Sequence, residues 1–233
     1  MSRTFLHKIK TFFACLVLAV CYTLGMDKTL ALEIVGGLSS PSKMPCFGFS
    51  IPAKKCITGM KLREVAGSIC SKCYALKGRY AFANVQNALE RRFAGLENPR
   101  WVEAMAFLLN KVEKSGFFRW HDSGDIQSLA HLSRIVEVCK LTPQIKHWLP
   151  TREFSIVAEY LKTNSLPENL TVRLSALMLE SAPPVSIAQR LGLTTSGVSK
   201  TGFTCPASNQ AGKCGDCRAC WSKSVSNVNY KQH

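Results

Sequence analysis

Phe117-Phe118-Arg119-Trp120-His121-Asp122-Ser123-Gly124-Asp125 and, further on, Leu170-Thr171-Val172-Arg173-Leu174-Ser175 are the stretches whose reading decides the fold. In each, apolar and polar side chains alternate with the period of two expected of a half-buried strand. Between them lie a helical stripe (Leu129, Leu132, Val136, Cys139), a short apolar run from Ile145 to Leu149, and a helical segment from Glu153 to Lys162. Strand, helix, strand, helix, strand at this spacing predicts parallel crossover units. The expected fold is therefore α/β: a partial parallel β/α barrel or an open parallel sheet, with cysteine-rich, metal-binding segments at both ends. Upstream, Asn84 to Leu96 reads as a charged helix, and Trp101, Met105, Leu108 and Val112 mark the buried stripe of the next. Asn98-Pro99 breaks the chain between them. There is no fixed-period repeat.

In parallel folds the residues just past the carboxyl ends of the strands build the site. Here these are His121 to Asp125, then Thr151-Arg152-Glu153, then Ser175. If the apolar side of each strand meets helices, the polar side lines an interior. His121, Asp122, Asp125 and Arg173 are the expected catalytic residues, and Arg119, Thr151, Arg152 and Ser175 the expected cofactor-binding ones. A plainer role competes at two positions, since Asp125 and Thr151 also suit helix N-caps.

Eleven cysteines carry the strongest chemical signal. Cys205, Cys214, Cys217 and Cys220 end in two successive two-residue gaps, which let thiolates converge on one metal while backbone amides turn toward the sulfurs. Lys213 and Arg218 offset the thiolate charge. Zinc sites usually pair two C-x2-C units, so the run favours an iron-sulfur cluster, with zinc as the alternative. Cys46, Cys56, Cys70 and Cys73 form a second group. They close a four-ligand structural site, or three of them hold a cluster with one open position. Cys139 falls on the apolar face of its helix and is expected in the core.

The 233 residues carry a net charge of +15, and 46% are hydrophobic, which excludes a disordered tail and favours a polyanionic partner such as nucleic acid. From Lys54 to Arg92 nine basic residues face two acidic ones, giving +7 of that +15. Tyr74, Tyr80 and Phe82 fall within the stretch and offer stacking surfaces for a polynucleotide groove. Residues 1–25 form a separate unit, with Arg3, Lys8 and Lys10 before an apolar run that contains Cys15 and Cys21. The run resembles a signal peptide or an extension upstream of a start at Met26, and is too short for a comfortable membrane span, so no stable membrane insertion is expected. Close cysteine pairing favours metal ligands in a cytoplasmic setting over disulfides in an exported one. The stretch from Ile187 to Lys200 has the Ala, Gly and Val placement of a helix-turn-helix, against a plainer reading as one short helix and a loop.

Met44-Pro45-Cys46, Cys70-Ser71-Lys72-Cys73-Tyr74-Ala75, the Arg119–Asp125 run and the terminal cysteine string together resemble the phage "gene product 88" family over residues 32–233 as a single α/β domain. The C-x2-C-Tyr-Ala element before strand-helix units is also similar, at fold level, to the radical S-adenosylmethionine group. That group's C-x3-C-x2-C is not present, because thirteen residues separate Cys56 from Cys70. This second resemblance implies that Cys56, Cys70 and Cys73 ligate a reducing cluster, with Cys46 as the alternate third ligand. It further implies that S-adenosylmethionine is a cofactor, that His121, Asp122 and Arg173 position cofactor and substrate, and that the C-terminal cluster is auxiliary.

Overall fold

The computed structural model describes residues 25–198 and 203–231. Apart from Gly25, the leader-like segment lies outside the described residues, as do Cys15 and Cys21. In chain order the elements are α1 (Lys28–Val35), β1 (Gly48–Phe49), α2 (Ile57–Arg63), α3 (Ala83–Gly95), α4 (Trp101–Val112), β2 (Phe117–Trp120), α5 (Leu129–Leu141), β3 (Lys146–Thr151), α6 (Phe154–Leu161), β4 (Leu170–Ser175), α7 (Val185–Leu191), β5 (Thr194–Gly197), β6 (Phe203–Thr204) and β7 (Asn227–Asn229).

The strands form one seven-stranded sheet in the order β1-β2-β3-β4-β5-β7-β6, and every pairing is parallel. Because β1 and β6 lie at opposite ends of the order, the sheet is open and not a barrel. The alternation of the strands sorts their side chains onto two faces. Phe118, Trp120, Leu149, Leu170, Val172 and Leu174 are buried with the apolar stripes of the helices. There Phe49 meets Trp101 at 5.4 Å and Phe118 meets Trp120 at 4.9 Å, both edge to face. Each such side chain, fully buried, contributes about 1.5–3 kcal/mol. Cys139 is in this core, wholly buried.

The opposite face carries Phe117, Arg119, Trp148, Thr171, Arg173 and Ser175, and the C-terminal segment covers it. Trp221 packs on Phe117 at 5.3 Å and on Trp148 at 5.4 Å, and its indole N–H donates to the Phe118 carbonyl at 2.8 Å. The polar side of the strands thus meets protein, not an open interior.

Two further differences from the sequence reading concern boundaries. Met26, Ala31, Ile34 and Val35 are core residues, so the packed domain starts ahead of residue 32. Asp27 caps α1 by accepting from the Leu30 amide at 2.8 Å. At its far end, a Cβ on Gly36 (φ 77°) would lie 2.5 Å from the Arg91 backbone, so only glycine lets α1 approach α3. Of the two readings of Ile187–Lys200, the single short helix holds as α7, but the loop does not: after a turn at Gly192 (φ 65°) Thr194–Gly197 is a buried strand of the sheet, and among the described residues no second helix follows it there.

Candidate metal centre

The carboxyl edge of the sheet is where β2, β3 and β4 deliver Asp122 to Asp125, Arg152-Glu153 and Ala176 to Met178. The cysteine-rich segment is bound to this edge at each strand. Beyond β2, the Tyr80 hydroxyl donates to Asp122 Oδ2 at 2.6 Å and the Tyr74 hydroxyl donates to the Asp122 carbonyl. Beyond β3, Glu153, 3% exposed, accepts from the Thr58 amide at 2.8 Å and the Thr58 hydroxyl at 2.7 Å, fixing the start of α2. Beyond β4, the Ile69 amide donates to the Leu177 carbonyl and the Leu179 amide to the Gly67 carbonyl.

These anchors bring Cys56, Cys70 and Cys73 into one another's electrostatic field, together with Asp125, Arg152 and Glu153. Burial pushes the Cys56 thiol up, and Asp125, Cys73, Cys70 and Glu153 add to the effect. Burial also raises Cys70, while the Arg152 guanidinium opposes it. Gly59 packs tightly here: a Cβ on it would lie 2.9 Å from Cys56 Cβ, 3.5 Å from Cys56 Sγ and 3.7 Å from Cys70 Sγ, so the two sulfurs converge on one point.

Cys46 is elsewhere. It precedes β1, on the amino side of the sheet, whereas Cys56 follows the carboxyl end. It packs in a minor core with Cys220, Trp148, Trp221 and Val228, against which Cys205 and Cys217 also lie. Burial pushes its thiol up to about 12, with Glu113 and Cys214 adding and Arg119 opposing. Cys46 therefore joins the four C-terminal cysteines in a five-thiol group. The four-ligand site of Cys46, Cys56, Cys70 and Cys73 is not assembled, and Cys46 is not an alternate ligand beside Cys70.

The second group is built into the fold. The Cys214 amide donates to the Lys43 carbonyl at 3.0 Å and the Cys205 amide to the Asn229 carbonyl at 2.8 Å. Cys220 Sγ lies 3.3 Å from the Tyr230 hydroxyl. Burial raises Cys220 to about 11. Arg173 organises the segment. Its Nε donates to the Cys220 carbonyl at 3.0 Å, Nη1 to those of Thr195 and Val225, and Nη2 to those of Ala219 and Ser222, both at 2.7 Å. A guanidinium has five N–H donors. All five are used on backbone, so Arg173 is a clamp with nothing left for a substrate.

The other expected site residues separate in the same way. Asp125 accepts from the Ile126 amide, the Thr151 hydroxyl at 2.6 Å and the Arg152 amide at 2.8 Å, and burial raises it to about 6. It is not a helix cap, since Ser128 caps α5 by accepting from the His131 amide. Thr151 likewise ends β3 and supports Asp125, with Glu153 at the N-cap position of α6. Arg152 Nε donates to the Ala176 carbonyl at 3.1 Å. Ser175 pairs with Ser196 through their hydroxyls at 3.1 Å, on the covered face.

His121 has φ 53° and turns into the helix side, where its ring is 5.4 Å from that of His131 and 4% of the residue is exposed. Burial holds it well below the usual imidazole range. It is not grouped with the thiols. Arg119 stands between the two groups: its guanidinium lies 4.5 Å over the Trp148 ring and donates to Met44 Sδ at 3.5 Å. Tyr74, Asp122 and Tyr80 act on it from one side and Tyr230 from the other. Thr58 and Gly59 are the site residues that the sequence reading passed over, and no motif signalled them; Glu153 was legible from its place after β3.

Among the described residues, no set of three or more His, Cys, Asp or Glu side chains is closed to the spacing that holds a metal ion. The chemistry of the donors nevertheless fits a soft metal, and two of the sulfurs lie within 4 Å of one point beside Gly59. All nine cysteines of the described residues are free thiols.

Fold and site define an α/β protein with an open parallel sheet, one thiol group on its carboxyl edge and another over one face. The chain belongs to the Gene product 88 family, whose model matches residues 24–223. Neither a curated protein nor a solved structure matches it. No helix among the described residues is long and apolar enough to cross a membrane.

Proposed function

We propose that this protein is a cytoplasmic iron-sulfur protein acting on nucleic acid or a nucleotide, with its reactive centre on Cys56, Cys70 and Cys73. The observation that carries the reading is the convergence of two thiols on one point at the carboxyl edge of the sheet, where the sulfurs of Cys56 and Cys70 lie 3.5 and 3.7 Å from the position a Cβ on Gly59 would take. Three thiolates there leave one position open to substrate or cofactor, S-adenosylmethionine being the cofactor class that the fold-level resemblance implies. A bound cluster supplies one-electron chemistry. The chain supplies the rest: Arg152 offsets thiolate charge, Glu153 holds Cys56 through the start of α2, and Asp122 ties the segment to β2 through two tyrosines.

Cys205, Cys214, Cys217 and Cys220, with Cys46, hold a second centre. Its packing among Trp148, Trp221 and Val228 favours a structural role, for which zinc is the alternative metal.

The test is anaerobic purification of the full chain from iron-supplemented cells, with absorption spectra and iron, sulfide and zinc analysis. The same is done for Cys56→Ser/Cys70→Ser/Cys73→Ser and Cys214→Ser/Cys217→Ser/Cys220→Ser. A brown protein that loses part of its iron in the first variant is expected, with S-adenosylmethionine cleavage as the assay that follows. A colourless protein with stoichiometric zinc would replace this reading with a structural, nucleic-acid-binding one.

A further inference from the structure

We propose that a cavity beside Cys73 binds the phosphate of a nucleotide or of a single-stranded polynucleotide. The proposal deepens the nucleic-acid half of the reading above and does not depend on the metal.

The cavity, of about 280 Å3, is lined by Arg63, Ser71, Lys72, Cys73, Leu76 and Lys77. Three of these six residues are cations and none is an acid. The ion pairs of the described residues are Arg100 with Glu103, Lys162 with Glu159 and Lys223 with Glu168, so no carboxylate answers Arg63, Lys72 or Lys77. Three unmatched cations around one concave wall repel each other, and an anion placed among them relieves that repulsion. Arg63 presents a planar fork that suits phosphate oxygens, and the two lysines add point charges.

Size restricts the ligand. Small-molecule sites run from roughly 300 to 1,000 Å3, so this small cavity, open to solvent, seats one phosphate with its sugar and leaves the rest of a longer ligand outside. Leu76 supplies an apolar wall for that sugar. Phe82, 60% exposed, lies on the same segment and offers a face on which a base can stack.

Position links the cavity to the centre. Arg63 ends α2, the helix that Cys56 opens, and Lys72 sits between Cys70 and Cys73. Cys73 belongs to both the cavity wall and the thiol group, so a phosphate held here brings the attached nucleoside to the edge where Cys56, Cys70 and Arg152 meet. The wider basic groove is narrower than the composition implied: Arg92 is buried, with Nε donating to the Gly37 carbonyl and Nη2 to that of Leu38, both at 3.1 Å.

The experiment is fluorescence anisotropy of a labelled single-stranded oligonucleotide at several salt concentrations, with nucleoside monophosphate as competitor and iron measured on the same samples. Arg63→Gln/Lys72→Gln/Lys77→Gln is compared with Lys114→Gln/Lys140→Gln/Lys146→Gln, which removes equal charge from exposed positions outside the cavity. The cavity variant is expected to bind about tenfold or more weaker and to flatten the salt slope by about 2, near 0.7 per lost single-strand phosphate contact. Competition by the mononucleotide identifies a free nucleotide as the ligand, and binding of the oligonucleotide without competition identifies a strand backbone. Equal weakening in the control variant, or no binding by the parent protein, overturns the proposal. Loss of binding with iron retained indicts the cavity alone, whereas a parent protein without iron that still binds sinks only the metal reading.

Discussion

The two thiol groups occupy contrasting ground. Cys56, Cys70 and Cys73 come from eighteen consecutive residues and sit on the rim of the sheet, tied down by a few polar anchors and beside an open cavity. Cys46 and the four C-terminal cysteines come from distant parts of the chain, meet inside a packed minor core, and are held by a guanidinium with every donor spent. The contrast separates two uses of the same chemistry. Burial does not separate the groups, since Cys70 is as buried as Cys46 and Cys220 and the other thiols are half-buried in both. What differs is the support, local polar anchors on the rim and long-range aromatic packing with the Arg173 clamp on the covered face.

Arg173→Met tests the buried side most severely. It leaves five carbonyls without their donor, and removing one partner from a buried charged network costs about 3–5 kcal/mol. Urea unfolding is expected to show that loss, together with metal loss confined to the C-terminal group. Arg173→Lys should not rescue it, since an ammonium has three donors and no fork. Full stability in either variant would break the comparison.

Asp125 probes the rim through pH. Its carboxyl is raised to about 6 in the folded protein, by burial first and by the charge of Glu153. Cys56 and the Arg152 amide face it as well. Folding therefore favours the protonated form, and this contribution is full below the unfolded value near 3.8 and is lost as pH rises through about 6. Asp125→Asn has no such proton. The stability gap between parent and variant should change by about 2 kcal/mol from pH 4 to pH 7, most of the roughly 3 kcal/mol that the difference between 3.8 and about 6 represents at about 1.4 kcal/mol per pKa unit. His131 and His147, which burial lowers to about 4 and about 3, act in the opposite sense in both proteins and cancel from the difference.

Gly59→Ala has the smallest expected effect on stability and the sharpest on selectivity. The helix gains about 1 kcal/mol of propensity, offset by a new Cβ 2.9 Å from Cys56 Cβ. Metal analysis should show reduced uptake by the rim group and none by the C-terminal one. Unchanged uptake in both would mean that the approach of Cys56 and Cys70 beside Gly59 does not hold the metal.

Much of the frame was legible in the sequence. Phe117–Trp120 and Leu170–Ser175 are strands as their alternation requires, and the helices at Trp101 and Leu129 start where their apolar stripes do. The short strands Thr194–Gly197, Phe203–Thr204 and Asn227–Asn229 were not legible, because segments of two to four residues hold no full period and exist only through their partners. His121 and Arg173 misled for a related reason. A polar residue on a strand reads as a site, yet one ring is turned into the helix side by a positive φ, and one guanidinium is consumed by a segment some fifty residues later.

By itself the sequence determined the α/β class, the parallel crossover order, the family and the two-residue spacing of the cysteine pairs, because each depends on neighbours within a few residues. Only the tertiary structure decided that the sheet is open, that Cys46 leaves the rim for the C-terminal group, that the polar face of the strands is covered, and that three cations surround one cavity. Those outcomes follow from strand register and from which segment packs over which face, which are set by contacts between residues far apart in the chain.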